Sequence, residues 1–198
     1  MNRGRLKLVV IFAVFLGPLL AAFIWYYGFG GMSAPRGSTN HAPLISPVIA
    51  LKPFSNTGTD GARFTAESLK HHWHLIHPLA ARCDGRCEKS LYNTRQVRLA
   101  LGKDAGRIRR ILLSPNRDLL NRLAAGHPDA VRLLESGDES QGGLESRLAP
   151  VIGSRALGEN DALLVDPLGN LMMIIPAGLD PGLLLKDLKH LLKVSRIG

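Results

Sequence analysis

WHLIHPLAARCDGRCEKSLYNTRQVRLALGKDAGRIRRILLS, residues 73–114, carries the reading on which the fold turns. Trp73-His74-Leu75-Ile76-His77 mixes aromatic and branched residues as a strand does, and Pro78, which has no amide hydrogen, ends its ladder. From about Cys87 to Leu101, Leu91, Tyr92, Thr94, Val97 and Leu101 fall at helical core spacing until Gly102 stops the run. Gly106 to Ser114, with Ile108, Ile111, Leu112 and Leu113, reads as a second strand. Strand, helix and strand in that order imply a right-handed crossover between parallel neighbours, hence an α/β fold. Between the first strand and the helix lies Cys83-Asp84-Gly85-Arg86-Cys87, which holds both cysteines of the chain. That is the carboxyl end of a strand, where open α/β sheets display their chemistry.

Toward the amino terminus, Leu8 to Tyr27 reads LVVIFAVFLGPLLAAFIWYY without a charged residue, about the length that crosses a bilayer core as a helix. Arg3, Arg5 and Lys7 precede it, and Trp25, Tyr26 and Tyr27 close it with the aromatic cluster of a membrane interface. A cleaved signal peptide has a shorter apolar core and a small-residue cleavage site, so a retained anchor over residues 8–28 is expected behind a basic tail, 1–7. The positive end stays in the cytoplasm and the remainder is exported. Residues 29–62, rich in Gly, Pro and Ser, read as a stalk with a short strand near Val48 to Leu51, and the domain proper as 63–198. The chain of 198 residues carries a net charge of +9. Export and the scatter of that charge argue against nucleic acid as a partner and leave a solvated basic surface, or one that leans toward anionic lipid or an acidic partner.

Thr65 to Leu69 suggests a short turn or helix before the first strand. Beyond the second strand, Asp118 to Ala125 and Pro128 to Glu135 are expected as two short helices, and Ser136 to Ser146 as a mobile loop. Ala162 to Asp166 and Asn170 to Ile175 form a predicted hairpin about Pro167-Leu168-Gly169. Asp180-Pro181 opens a last helix whose Leu183, Leu184, Leu188, Leu191 and Leu192 make a broad apolar face. Met172 and Met173 are neighbours on a strand, so they point to opposite faces and make a poor pair of metal ligands.

Two cysteines with three residues between them are close enough to share a soft metal ion, to form a disulfide, or merely to pack as small apolar groups. In an oxidising compartment they tend to pair unless a reductant or a metal intervenes. A thiolate at a helix start, beside Arg82 and Arg86, has reason for a lowered pKa and for exchange with a partner's cysteines. Thiolates favour Cu(I), and two of them make an exchangeable site. His71, His72, His74 and His77 crowd one stretch; the ordinary role of each is a surface or packed imidazole, and His77, at the strand end, is the candidate third ligand.

Trp73, nine intervening residues, Cys83, three residues and Cys87, after an anchor and before a helix and the strand IRRILLS, resemble the Sco (SenC) family of copper chaperones for cytochrome c oxidase assembly. The resemblance spans roughly Phe64 to Val194, its specific part being strand, loop and helix. It implies a thioredoxin-like domain behind a single transmembrane helix, placed on the periplasmic side of a bacterial inner membrane. The implied partner is the oxidase copper subunit or another assembly factor, and the implied cargo is Cu(I). Family members carry a third copper ligand, a histidine before the penultimate strand, whereas Leu157 to Asp161 contains none here. A site on Cys83 and Cys87 is therefore expected to be two-coordinate, or completed by His77 or an outside ligand. The contrasting expectation is a scaffold without catalysis, in which the two cysteines form a fixed bridge. A reporter enzyme fused after Gly198 is expected to be active only on the exported side, and activity in the cytoplasm would overturn the compartment and the cysteine chemistry that depends on it.

Overall fold

The computed structural model describes residues 3–25, 40–135, 142–152 and 158–195. The chain divides into two compact units, Met1–Ser38 and Thr39–Gly198. The first contains helix α1, Arg3–Ile24, 22 residues with Pro18 inside it. Among the described residues no helix is long and apolar enough to cross a membrane.

The second unit is built on an eight-stranded sheet. In chain order its elements are β1 (Leu44–Ala50), β2 (Ser55–Gly58), β3 (Arg63–Thr65), a 3-10 turn (Ala66–Leu69), β4 (Trp73–Pro78), α2 (Gly85–Ala100), β5 (Ile108–Ser114), α3 (Arg117–Ala124), β6 (Ala130–Leu134), α4 (Leu144–Ile152), β7 (Ala162–Val165), β8 (Asn170–Ile175) and α5 (Pro181–Val194). The spatial order is β1-β8-β7-β4-β5-β6-β2-β3. β4, β5 and β6 run parallel, and β7 joins β4 antiparallel, followed by its hairpin partner β8. β4 and β5 are buried on both faces, which is why each reads as a nearly continuous apolar run rather than an alternation. On one face Trp73, Leu75 and Ile108 pack with Val97 and Leu101 of the α2 segment and Leu184, Leu188 and Leu192 of α5. On the other, Ile76, Ile111 and Leu113 meet Leu144, Leu148 and Val151 of α4 together with Phe54 and Leu69.

Several expectations are corrected by this packing. The stretch expected as a second short helix, 128–135, forms β6, in register with β5 from Arg110↔Ala130 to Ser114↔Leu134. A five-residue stretch with four apolar residues about Arg132 cannot be assigned by periodicity alone, and its pairing with β5 settles it. The stalk does not reach residue 62. β1 pairs with β8 and β2 with β6, so these residues belong to the folded unit, while 29–39 lie outside the described residues. The expected mobile loop also ends early, because α4 begins at Leu144; its 136–141 portion lies outside the described residues. Asn56, 2% exposed, accepts the Leu144 amide at 2.7 Å and donates to the Leu134 carbonyl and Glu145, so α4 is started by a residue far away in sequence. Tyr92, expected in the core, is exposed, and α2 turns Ser90, Leu91, Thr94 and Val97 inward instead.

Ile111 is fully buried at the centre of the sheet. Ile111→Ala is expected to destabilise the domain by about 2–5 kcal/mol, read as a lower urea midpoint with an unchanged m-value. A loss below about 1 kcal/mol would show that this face of the sheet is not the packed core described.

Candidate functional site

The cysteines sit where β4 hands the chain to α2. Asp84 is the N-cap: its carboxylate accepts the amides of Arg86 and Cys87 at 3.1 and 2.9 Å, which sets the first turn of α2 and puts Cys87 inside it. Cys83 and Cys87 are joined as a disulfide, with Cα atoms 5.2 Å apart. Their surroundings differ. Cys87 is 2% exposed, in a cluster with Leu79, Leu91, Leu112, Leu119 and Leu120, whereas Cys83 lies half-buried at its edge. An attacking thiol therefore reaches Cys83 first.

The approach to the pair is fixed from β5 and α3. Leu79 donates to the Leu113 carbonyl at 2.7 Å, the Ser114 hydroxyl to the Ala80 carbonyl at 3.2 Å, and the Asn116 side chain to the Ala81 carbonyl at 3.0 Å. Asn116 also caps α3 through the Leu119 amide. Sequence reading passed over Ser114 and Asn116 as positioning residues; the N-cap pattern before α3 was the available signal.

A cavity of about 420 Å³ opens beside the pair, lined by Pro78, Ala80, Arg82, Asp84 and the stretch Gly158 to Asp161. That stretch is held firmly: Asp161 accepts the amides of Gly158 and Ala177 at 2.7 and 2.8 Å, and the Asn160 carbonyl accepts the Ser90 hydroxyl at 2.9 Å. Asn160 adopts φ +67°, a left-handed conformation that asparagine tolerates better than most residues. The place expected for a third copper ligand thus does adjoin the cysteine loop. The side chains it offers, Glu159, Asn160 and Asp161, carry oxygen donors, which match a soft cation poorly.

His77 is elsewhere. It is 1% exposed, and its Nε2 meets the Thr94 hydroxyl at 3.0 Å. Thr94 lies two turns beyond Cys87, about 10 Å along the helix axis. Burial first, then the positive charge of Arg110 and the neighbouring His127, lowers its pKa from 6.5 to about 3. Arg110, itself fully buried, reaches the Leu91 carbonyl at 2.8 Å and the Thr94 hydroxyl at 3.4 Å through one nitrogen, and Asp129 at 3.3 Å and His127 at 3.4 Å through the other. Arg95 and Arg98 approach Asp129 at 3.7 and 3.6 Å. His77 is therefore part of a polar network under the middle of α2. Among the described residues no group of three His, Cys, Asp or Glu side chains is arranged to hold a metal ion, so the structure does not gather His77 with Cys83 and Cys87.

The remaining candidates fill ordinary roles. His74 is fully buried, and burial lowers its pKa to about 4; a contact with the His72 backbone works against this but falls short of a hydrogen bond. His71 occupies a turn at φ +69°. Met173 is in the core, and Met172 is partly buried against the α5 side.

The family model described as transmembrane-like, thioredoxin-like, C-terminal domain matches residues 73–195, and one described as transmembrane-like, N-terminal domain matches residues 2–28. No curated protein matches the chain significantly in sequence. Among solved structures, copper-bound ScoI of Bradyrhizobium japonicum is 23% identical, with TM-score 0.53, covering 72% of this chain and 98% of its own. Copper-bound yeast Sco1 is 16% identical, with TM-score 0.62 and coverage of 76% and 96%. BsSco, described through a disulfide switch and as a member of the Sco family of cytochrome c oxidase assembly proteins, is 16% identical, with TM-score 0.57 and coverage of 75% and 96%. The resemblance read from Trp73 to Cys87 is thus matched by a likeness of fold.

The His77 environment has a measurable consequence. The unfolded chain binds a proton on this ring near pH 6.5, whereas the fold keeps it neutral to about 3, so stability falls as pH drops through that window. His77→Gln is expected to flatten the dependence of unfolding free energy on pH between 4 and 6 by about 1.4 kcal/mol per unit, measured by urea titration at several pH values. An unchanged slope would contradict the buried, neutral assignment.

Proposed function

The chain belongs to the family of transmembrane-like, thioredoxin-like C-terminal domains, and on that premise we propose that it is a membrane-anchored assembly factor for cytochrome c oxidase. Its working group is the Cys83–Cys87 pair, acting by thiol–disulfide exchange or Cu(I) delivery. The observation that carries this reading is the asymmetry of the pair: an accessible Cys83 and a buried Cys87 at the amino end of α2. The copper-bound and disulfide-switching Sco structures that share its fold support it. The anchor is supported by the match over residues 2–28 and by the charge-free run of the sequence from Leu8 to Tyr27. The basic residues Arg3, Arg5 and Lys7 favour a cytoplasmic amino terminus and a periplasmic domain at the bacterial inner membrane.

Exchange proceeds in two displacements. The reduced Cys83 thiolate attacks one sulfur of a client disulfide and expels the other as a thiolate, forming a mixed disulfide. Cys87 then loses its proton to solvent and attacks Cys83. The mixed bond breaks toward the client, which leaves with both cysteines reduced while Cys83 and Cys87 become the disulfide seen here. A dithiol donor returns the pair to its reduced form. The helix dipole and the exposed Arg82 and Arg86 stabilise the reduced thiolate, while the Asp84 carboxylate opposes them by engaging the amides of the first turn. In the reduced state the two sulfurs supply soft ligands for Cu(I) as cargo, and an outside ligand from the client completes the coordination. His77 contributes none, being engaged with Thr94.

A scaffold with a structural bridge is the alternative, and the burial of Cys87 is its one support. A cross-link over so short a loop stabilises by only about 2 kcal/mol. Two assays separate these readings. Cys87→Ser is expected to accumulate a mixed disulfide with client through Cys83, and Cys83→Ser to accumulate none. In anaerobic competition with a chelator, the reduced wild type and His77→Gln are expected to bind Cu(I) alike, and either Cys→Ser variant to lose it. Equal copper uptake by the wild type and the double Cys→Ser variant would remove the copper reading. Failure to trap any mixed disulfide would remove exchange.

A further inference from the structure

α5 is the element to which the incoming chain is fastened. Asp187, 1% exposed, accepts the amides of His41 and Ala42 at 2.8 and 2.9 Å and meets the His41 ring at 2.7 Å. His41 and Ala42 are therefore held at the middle of this helix. The charged side chains that α5 turns to solvent, Lys186, Lys189 and Lys193, are all basic, with His190 beside them, while its one carboxylate is the buried Asp187.

α2 lies alongside α5 in the same sense. Arg86, Lys89 and Asn93 line one cavity with Asp180 and Pro181, so the two helix beginnings adjoin. Beyond the far end of α2, Arg107 donates to the carbonyls of Leu192 and Ser195 at 2.9 and 3.0 Å. Exposed Arg86, Lys89 and Lys103 thus extend the basic surface of α5 across the same layer. Among the described residues none of these six cations is in an ion pair; of the nearby carboxylates Glu88 and Glu159 are exposed, Asp104 faces Arg107 at 3.9 Å, Asp161 accepts the amides of Gly158 and Ala177, and Asp180 caps α5. At the carboxyl ends of the two helices, Leu99 and Val194 remain exposed, 51% and 63%.

We propose that this α2–α5 face is a docking surface for the anionic headgroup layer of the membrane, an inference that rests on the anchor proposed above. A lysine held near an anionic lipid surface strengthens attachment by about fivefold, so several on one face suffice to orient a tethered domain. His41 and Ala42, near the start of the second unit, are fastened to α5 through Asp187, and exposed apolar side chains beside lysines suit an interface. The cysteine pair, at the amino end of α2, would then be carried at the edge of the membrane-facing layer, within reach of clients that project little from the bilayer.

The test uses the full chain in nanodiscs of phosphatidylcholine alone or with about one-third phosphatidylglycerol, and follows amine labelling of each lysine by mass spectrometry. Lys186, Lys189 and Lys193 are expected to label about fivefold or more slowly in anionic discs, while exposed Lys52 and Lys70 serve as internal references that do not change. Protection is expected to vanish near 1 M salt, where screening acts within about 3 Å. K186Q/K189Q is expected to return Lys193 to its rate in neutral discs. Equal labelling in the two lipids overturns the inference, and is the outcome if an acidic protein occupies the face instead; protection that survives in K186Q/K189Q overturns it as well. A chain that does not remain with either disc overturns the anchor itself and the inference with it.

Discussion

The parallel pairing of β4 with β5, in register from Trp73↔Ile108 to Pro78↔Leu113, is the constraint from which the rest follows. Two parallel neighbours need a crossover, and α2 is that crossover. Its far end is set by the return to Ile108, so its beginning is driven to the carboxyl edge of β4, and the Asp84 cap fixes the turn. Cys87 is thereby committed to the helix and the core, and Cys83 to the loop outside. The asymmetry that makes one sulfur an attackable atom and the other a sheltered one is a result of the topology.

The same crossover covers a fully buried arginine. Arg110 carries one charge under α2, compensated by Asp129 and by the carbonyl of Leu91, while its Nε has no hydrogen-bond partner. Such a group adds little net stability, since desolvation offsets attraction, but removing one partner leaves an uncompensated charge and is costly. Its physical effect is to fix the seat of α2 on the sheet through Leu91 and Thr94, one and two turns beyond Cys87. His77 belongs to this arrangement. Its low pKa reflects desolvation and neighbouring positive charge, so an imidazole that in sequence looked poised for a metal is a neutral packing and hydrogen-bonding group.

The parts of the fold legible in the sequence were those whose period or punctuation is local: β4, α2 with its glycine stop, β5, the hairpin of β7 and β8, and α5 opened by Asp180-Pro181. The parts that were not legible depend on distant partners. β6 is a strand because β5 offers an edge, α4 starts where Asn56 accepts its first amide, and β1 joins the sheet by pairing with β8 across more than a hundred residues. At the site, the cysteine pair was visible as the chain's two cysteines at a strand end. The relation of Glu159 to Asp161 to that pair followed only from the family resemblance, and the diversion of His77 to Thr94 from nothing in the local sequence.

On the proposed reading Cys83–Cys87 is a bridge that opens, and its reduction potential tests that reading most directly. Equilibration of the full chain with dithiol buffers of known potential is expected to give a value above about −300 mV, in the range of exchanging pairs. A value well below that would identify a structural disulfide and contradict the account.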